Sequence, residues 1–192
     1  MMKNWLLKTL LALMFISLGA FAQLTPGQTA PDVNLPGNDG KNHSFGEFSG
    51  KKAIVVIFMS IDCPVSNAYV ERIAALFDEF SGKNVEFVGV FSNRREDLPA
   101  VTQYAAEKGI KYTVLRDEDN KVADEFGAQF TPEVYVLNPQ RVILYHGRID
   151  YSQREKHVRR KDLQEALAEV LAGKPVSEAR TKSFGCSIKR SK

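Results

Sequence analysis

The chain has 192 residues, 44% of them hydrophobic, enough for one domain with a core of its own and some appended segments. Twenty-six Lys and Arg against twenty-three Asp and Glu give +3, with no block of like charges long enough to mark a nucleic-acid-binding arm. Two cysteines and three scattered histidines, His43, His146 and His157, have no spacing suited to a structural zinc site, so no metal or other cofactor is expected.

Residues 1–22 combine a short basic start (Lys3, Lys8), an apolar run from Leu10 to Leu18 and the A-x-A pattern Ala20-Phe21-Ala22. That pattern is a cleavable secretory signal, and the run is too short for a spanning helix. Cleavage after Ala22 lowers the net charge to +1, because Lys3 and Lys8 leave. Position 23 is Gln, which offers no site for lipid attachment, so a secreted or periplasmic protein without a stable membrane anchor is expected.

Residues 24–50 are rich in Gly, Pro, Asn and Asp, with Asn38-Asp39-Gly40 as the strongest turn signal, and predict a hairpin or extended lead-in. Ala53 to Met59 is apolar at every position and β-branched, the pattern of a strand buried on both faces. Pro64 suits the first position of a helix whose apolar residues include Val65, Tyr69, Ile73, Leu76, Phe77 and Phe80, closed by Ser81-Gly82. Val85 to Phe91 is a second buried strand, and Asp97 to Lys108 a second helix ending at Gly109. A third strand in KYTVLRD and a short helix in DNKVADEFG follow. The strands EVYVLN and RVILYHG then turn at Asn138-Pro139-Gln140, and a closing helix runs from about Lys161 to Ala172. This order predicts an α/β fold of three layers, a mixed central sheet with helices on both faces, over residues 23–172. Residues 173–192 form a basic, aperiodic tail whose apolar island, Phe184 to Ile188, contains Cys186.

Cys63 falls where a buried strand ends and a helix begins. Functional groups collect there in parallel sheets, and the helix N-terminus favours a thiolate. Asp62 acts against that ionisation. The alternative is a buried cysteine that only packs. Thr131-Pro132 at a strand start permits a cis peptide that would lay backbone against the sulfur, although these residues alone favour a trans proline opening an edge strand.

These features together resemble the thioredoxin-fold redoxins: Gly27 to Leu35, the strand leading to Cys63-Pro64, Asp117 to Gly127, and Thr131-Pro132 before EVYVLN. The nearest branches are the AhpC/TSA-like peroxiredoxins and the extracytoplasmic thiol-disulfide oxidoreductases. The segments YHGRID, LAGKPV and GCSIK resemble a secreted subgroup with a C-terminal Gly-Cys motif. The resemblance implies Cys63 as the attacking cysteine, Pro132 as a cis-proline preceded by Thr131, and support from Pro64, Ser60 and Ser66. Ser66 stands where thioredoxins carry their second cysteine, and Val56 where peroxiredoxins carry a proline, while Ser60 fits the peroxiredoxin Ser/Thr position. Arg116 and Arg148 are candidates for the arginine that polarises a peroxide.

With Ser66 in the resolving position, Cys186 is the second thiol available in the chain. The fourteen residues after Ala172 span up to about 46 Å when extended, enough to cross a domain of this size. A Cys63–Cys186 bridge would either close a redox cycle or pin the tail. The expected partners are a thiol or disulfide protein, a small-molecule disulfide or a peroxide, together with an external reductant. A copper-handling or redox-binding module without catalysis is the rival class.

Overall fold

A computed structural model describes residues 22–191. The expected signal segment therefore lies, except for Ala22, outside the described residues. Among those described, no helix is long and apolar enough to cross a membrane.

The lead-in forms a small antiparallel pair, β1 (Leu35–Pro36) and β2 (Asn42–His43), around the Asn38-Asp39-Gly40 turn. Next come β3 (Ala53–Met59), α1 (Pro64–Phe80), β4 (Val85–Phe91), α2 (Leu98–Glu107) and β5 (Thr113–Arg116). The chain continues through α3 (Lys121–Phe126), β6 (Phe130–Thr131), β7 (Glu133–Leu137), β8 (Ile143–Gly147) and α4 (Asp162–Leu171). The tail ends in β9 (Cys186–Ser187), which the sequence pattern does not foreshadow.

The main sheet has the order β5-β4-β3-β7-β8. β3 lies at its centre, parallel to β4 and antiparallel to β7, which explains why all seven of its residues are buried. Alternate residues feed two cores. Val55, Ile57 and Met59 pack with Tyr69 and Ile73 of α1, Val101 of α2 and Leu163 of α4. Ile54, Val56 and Phe58 face the other way, against Phe126 of α3 and Phe45 of a short 3-10 turn. Helices thus cover both faces, as the pattern predicts.

Local signals set the ends that matter. Asp97 caps α2, accepting from the Ala100 N–H at 2.8 Å, so that helix starts one residue later than the apolar spacing suggests. Asp117 accepts from the Val122 and Ala123 N–H groups and from the Ser92 hydroxyl, tying the start of α3 to the end of β4. The tail first runs beside β8, where the Thr181 N–H donates to His146 O at 3.0 Å, and covers that sheet edge. It then crosses to β6. Phe184 packs near Tyr69, with ring centroids 6.3 Å apart, while Ile188 sits in the second core, so the apolar island is anchored at both ends.

Candidate active site

The site is built on the last residues of β3 and the first turn of α1. Cys63 is the N-cap of α1, extended in backbone and 1% exposed, and its sulfur accepts from the Ser66 N–H at 3.2 Å. Pro64 holds the first helical position, where its missing N–H costs nothing. The Thr131-Pro132 peptide is cis, as the resemblance implies and not the trans bond that the residues alone favour, and Thr131 O lies 3.0 Å from the Cys63 sulfur.

Thr131 also pairs with the tail. β6 and β9 run antiparallel, with Thr131 opposite Cys186 and Phe130 opposite Ser187. The Ile188 N–H donates to Gln129 O at 2.9 Å and extends the pairing. Gly185 is needed for this approach: a Cβ there would lie 2.1 Å from Thr131 O. Beyond β9, the Lys189 N–H donates to Asn93 Oδ1 at 2.7 Å and the Arg94 N–H to Lys189 O at 2.9 Å. Arg190 reaches Asp124 and Ala128 O, and the Ser191 N–H donates to Asn120 Oδ1.

Both cysteines are free thiols, Cys63 buried and Cys186 partly so, and both line the same cavity. Burial pushes the Cys63 pKa up, but the Cys186 thiol, the Thr131 side chain and the Ser66 N–H favour the thiolate and outweigh it, and the net direction is down. The Cys186 thiol moves the opposite way, raised by burial and by the neighbouring Cys63 sulfur, against a lowering contribution from the Val65 N–H. The opposition to a Cys63 thiolate thus comes chiefly from burial, where the sequence points to Asp62.

The serines serve the loop rather than the sulfur. Ser66 is buried; its hydroxyl accepts from the Ser60 N–H at 3.2 Å and donates toward Met59 Sδ at 3.4 Å. The Ser60 hydroxyl donates to Glu96 Oε1 at 2.7 Å, and the Ile61 N–H donates to the same oxygen at 3.0 Å. Asn93 Nδ2 donates to Ser60 Oγ and to Glu96 Oε1, while its Oδ1 holds the tail. Glu96 is 2% exposed, and burial raises its pKa. Sequence reasoning misses Asn93 and Glu96, since in SNRRED they read as part of a solvated charged loop. Their position just past the end of β4, beside the strand that carries Cys63, was the available signal.

Arg116 and Arg148 do not line the Cys63 cavity. Arg116 is 3% exposed and donates to Phe91 O and Asp117 O, and Arg148 pairs with Asp162 at 2.7 Å. The basic side chains at the cavity are Arg94, Arg95 and Lys189. The cavity is about 300 Å³ and is also lined by Ser60, Asp62, Cys63 and Cys186. His146 is packed: it is 1% exposed, stacks on Tyr135 at 4.2 Å and bonds Glu133 Oε1 at 2.7 Å. The other Glu133 oxygen accepts from the Gln129 and Phe130 N–H groups, fixing the turn that leads to Thr131. Among the described residues, no group of three or more His, Cys, Asp or Glu side chains is arranged to hold a metal ion.

The architecture has known counterparts. A hypothetical protein of Sinorhizobium meliloti superposes with a TM-score of 0.81 at 29% identity, covering 88% of this chain and 97% of its own. The thioredoxin domain of a thiol-disulfide oxidoreductase from Bacteroides vulgatus superposes with a TM-score of 0.58 at 20% identity, over 65% of this chain and 89% of its own, a likeness of fold: the sheet and helices are thioredoxin-like. In sequence, the chloroplastic peroxiredoxin Q of Gentiana triflora is 27% identical over 150 residues, 73% of this chain. The chain spans 66% of that relative's length. These likenesses support a redox thiol function. The Redoxin family model matches residues 25–167, and the chain belongs to the Redoxin family.

Proposed function

We propose that the chain is an extracytoplasmic thiol-based oxidoreductase in which Cys63 attacks a hydroperoxide or a disulfide and Cys186 resolves the product. The observation that carries this reading is the pairing of β9 with β6: it sets Cys186 opposite Thr131, whose carbonyl lies 3.0 Å from the Cys63 sulfur, and puts both cysteines on one cavity. The two thiols are shifted in opposite directions, Cys63 toward the thiolate and Cys186 away from it. With a hydroperoxide, the Cys63 thiolate takes the terminal oxygen and breaks the O–O bond. The alcohol or water leaves and Cys63 becomes a sulfenic acid. The Cys186 sulfur then attacks the Cys63 sulfur, water departs, and two electrons have passed from the two thiols to the peroxide. With a disulfide, the same attacks pass through a mixed disulfide and release two thiols. An external dithiol restores both cysteines.

The test compares turnover of hydrogen peroxide and of a small disulfide by the wild type, Cys63→Ser and Cys186→Ser. Activity is expected to fall to background in Cys63→Ser. Cys186→Ser is expected to keep the first turnover and lose multiple turnover by about tenfold or more. Wild-type rates in Cys63→Ser, or undiminished cycling in Cys186→Ser, overturn the reading. Export by the signal in residues 1–22 is checked by the N-terminal residue of the secreted product, expected to be Gln23.

A further inference from the structure

The docked tail changes what can reach Cys63. Thr131, the residue before the cis-proline, lies on the short strand β6, whose edge can pair with an extended backbone segment. The chain's own β9 holds that edge, with Cys186 opposite Thr131 and Gly185 packed against the carbonyl. Pairing continues at Ile188, and side chains of Asn93, Asn120 and Asp124 hold the residues that follow. What remains open is the cavity of about 300 Å³, suited to a small molecule.

The charge of that cavity is one-sided. Arg94, Arg95 and Lys189 line it and are exposed, against the single exposed carboxylate of Asp62. Neither Arg94 nor Arg95 has a salt-bridge partner among the described residues, and Lys189 Nζ donates only to Ser187 Oγ. Glu96 does not line the cavity: it is buried behind Ser60, where its Oε1 accepts from Ser60, Asn93 and the Ile61 N–H. Cations converging on a small cleft raise the local concentration of anions.

We infer that the docked tail closes the polypeptide edge and leaves a cationic pocket, so that the preferred substrates of Cys63 are small disulfides or hydroperoxides carrying a negative charge. This rests on the reading of Cys63 as the attacking thiol. For a small anionic disulfide, the Cys63 thiolate forms a bond to one sulfur and the other leaves as a thiolate. Cys186 then displaces the second thiolate as the internal disulfide forms. Both released thiolates take up the two protons given up by the protein, and the two electrons pass from the protein thiols to the substrate.

The experiment mixes fully reduced, full-length protein with dithiodipropionate (anionic), hydroxyethyl disulfide (neutral), cystamine (cationic) or an unfolded polypeptide carrying one disulfide. Formation of the Cys63–Cys186 bridge is timed by quenching free thiols with an alkylating agent. Each rate is divided by that of an Arg94→Ala/Arg95→Ala/Lys189→Ala variant, which cancels the intrinsic reactivity of the probe. At low ionic strength the ratio for the anionic probe is expected to exceed that for the neutral one by about tenfold, with the cationic probe below both and the three converging in high salt. The polypeptide is expected to react slowest with the wild type, and its first attack, followed as a mixed disulfide on Cys63, is expected to speed up in Ile188→Asp, which loosens the tail but keeps Cys186. Equal ratios for the three charges, or a polypeptide as fast as the small probes in the wild type, overturn the inference while leaving Cys63 as nucleophile. If Cys63→Ser is oxidised by the probes as readily as the wild type, the reading of Cys63 itself fails and takes this inference with it.

Discussion

The two cysteine-bearing regions are held in place by different kinds of structure. Cys63 sits between the central strand and α1, so its position follows from the packing of both cores. Cys186 sits on a two-residue strand, fixed by one glycine contact, the burial of Ile188 and hydrogen bonds from loop side chains. Both sulfurs draw on the first turn of α1, Cys63 on the Ser66 N–H and Cys186 on the Val65 N–H, yet one thiol is shifted down and the other up. Two adjacent sulfurs cannot both ionise cheaply, and the one at the N-cap takes the charge. The better-anchored thiol is thus poised to attack. The tethered one is poised to follow, held in place by the pairing with β6 and by Ile188 in the second core.

The sharpest way to break this pairing is Gly185→Val. Its Cβ would fall 2.1 Å from Thr131 O, so β9 cannot pair with β6. The internal disulfide is expected to form about a hundredfold more slowly, because Cys186 becomes a loosely tethered thiol, while alkylation of Cys63 by iodoacetamide persists. Disulfide formation at the wild-type rate would show that tail placement is not what brings the sulfurs together.

A smaller effect is expected from Asn93→Ala, which removes donors to Ser60 and Glu96 and the acceptor for Lys189. Loss of this strut should destabilise the protein by about 2 kcal/mol in urea titration, since buried partners are left unpaired. It should also make the backbone of residues 186–191 exchange hydrogen faster than that of β3. Equal acceleration in both segments would argue that Asn93 serves the fold as a whole and not the link between loop and tail.

The smallest effect concerns Glu96. Burial raises its pKa above 4.5 in the folded protein, so its contribution to stability is fully present below the unfolded value and is lost as pH rises through the folded one. Glu96→Gln has no such titration. Wild-type stability minus that of Glu96→Gln is therefore expected to fall as pH climbs from 4.5 toward neutrality, measured by thermal melts across that range. A flat difference would mean that Glu96 is ionised in place, held by Ser60, Asn93 and the Ile61 N–H.

Legibility in the sequence followed the range of the interaction. Ala53–Met59 and Val85–Phe91 are read with their observed ends, because a strand buried on both faces must be apolar at nearly every position. The helix start at Cys63-Pro64 is equally local, as is the turn at Asn138-Pro139-Gln140. Glu96 and Asn93 are not legible: their neighbours are charged and exposed, and only the meeting of two strand ends turns their side chains inward. Arg116 and Arg148 misdirect for the same reason, being drawn into Phe91 O, Asp117 O and Asp162 instead of the cavity.

The five strands of the main sheet, the four α-helices and the thiol at the start of α1 can be written from the sequence alone, because periodicity, capping and turn chemistry act over a few neighbouring residues. The tertiary structure decided that Cys186 lies opposite Thr131, that Gly185 is packed against that carbonyl, and which cations face the cavity. Those contacts join residues far apart in the chain, and their geometry exists only once both cores are closed.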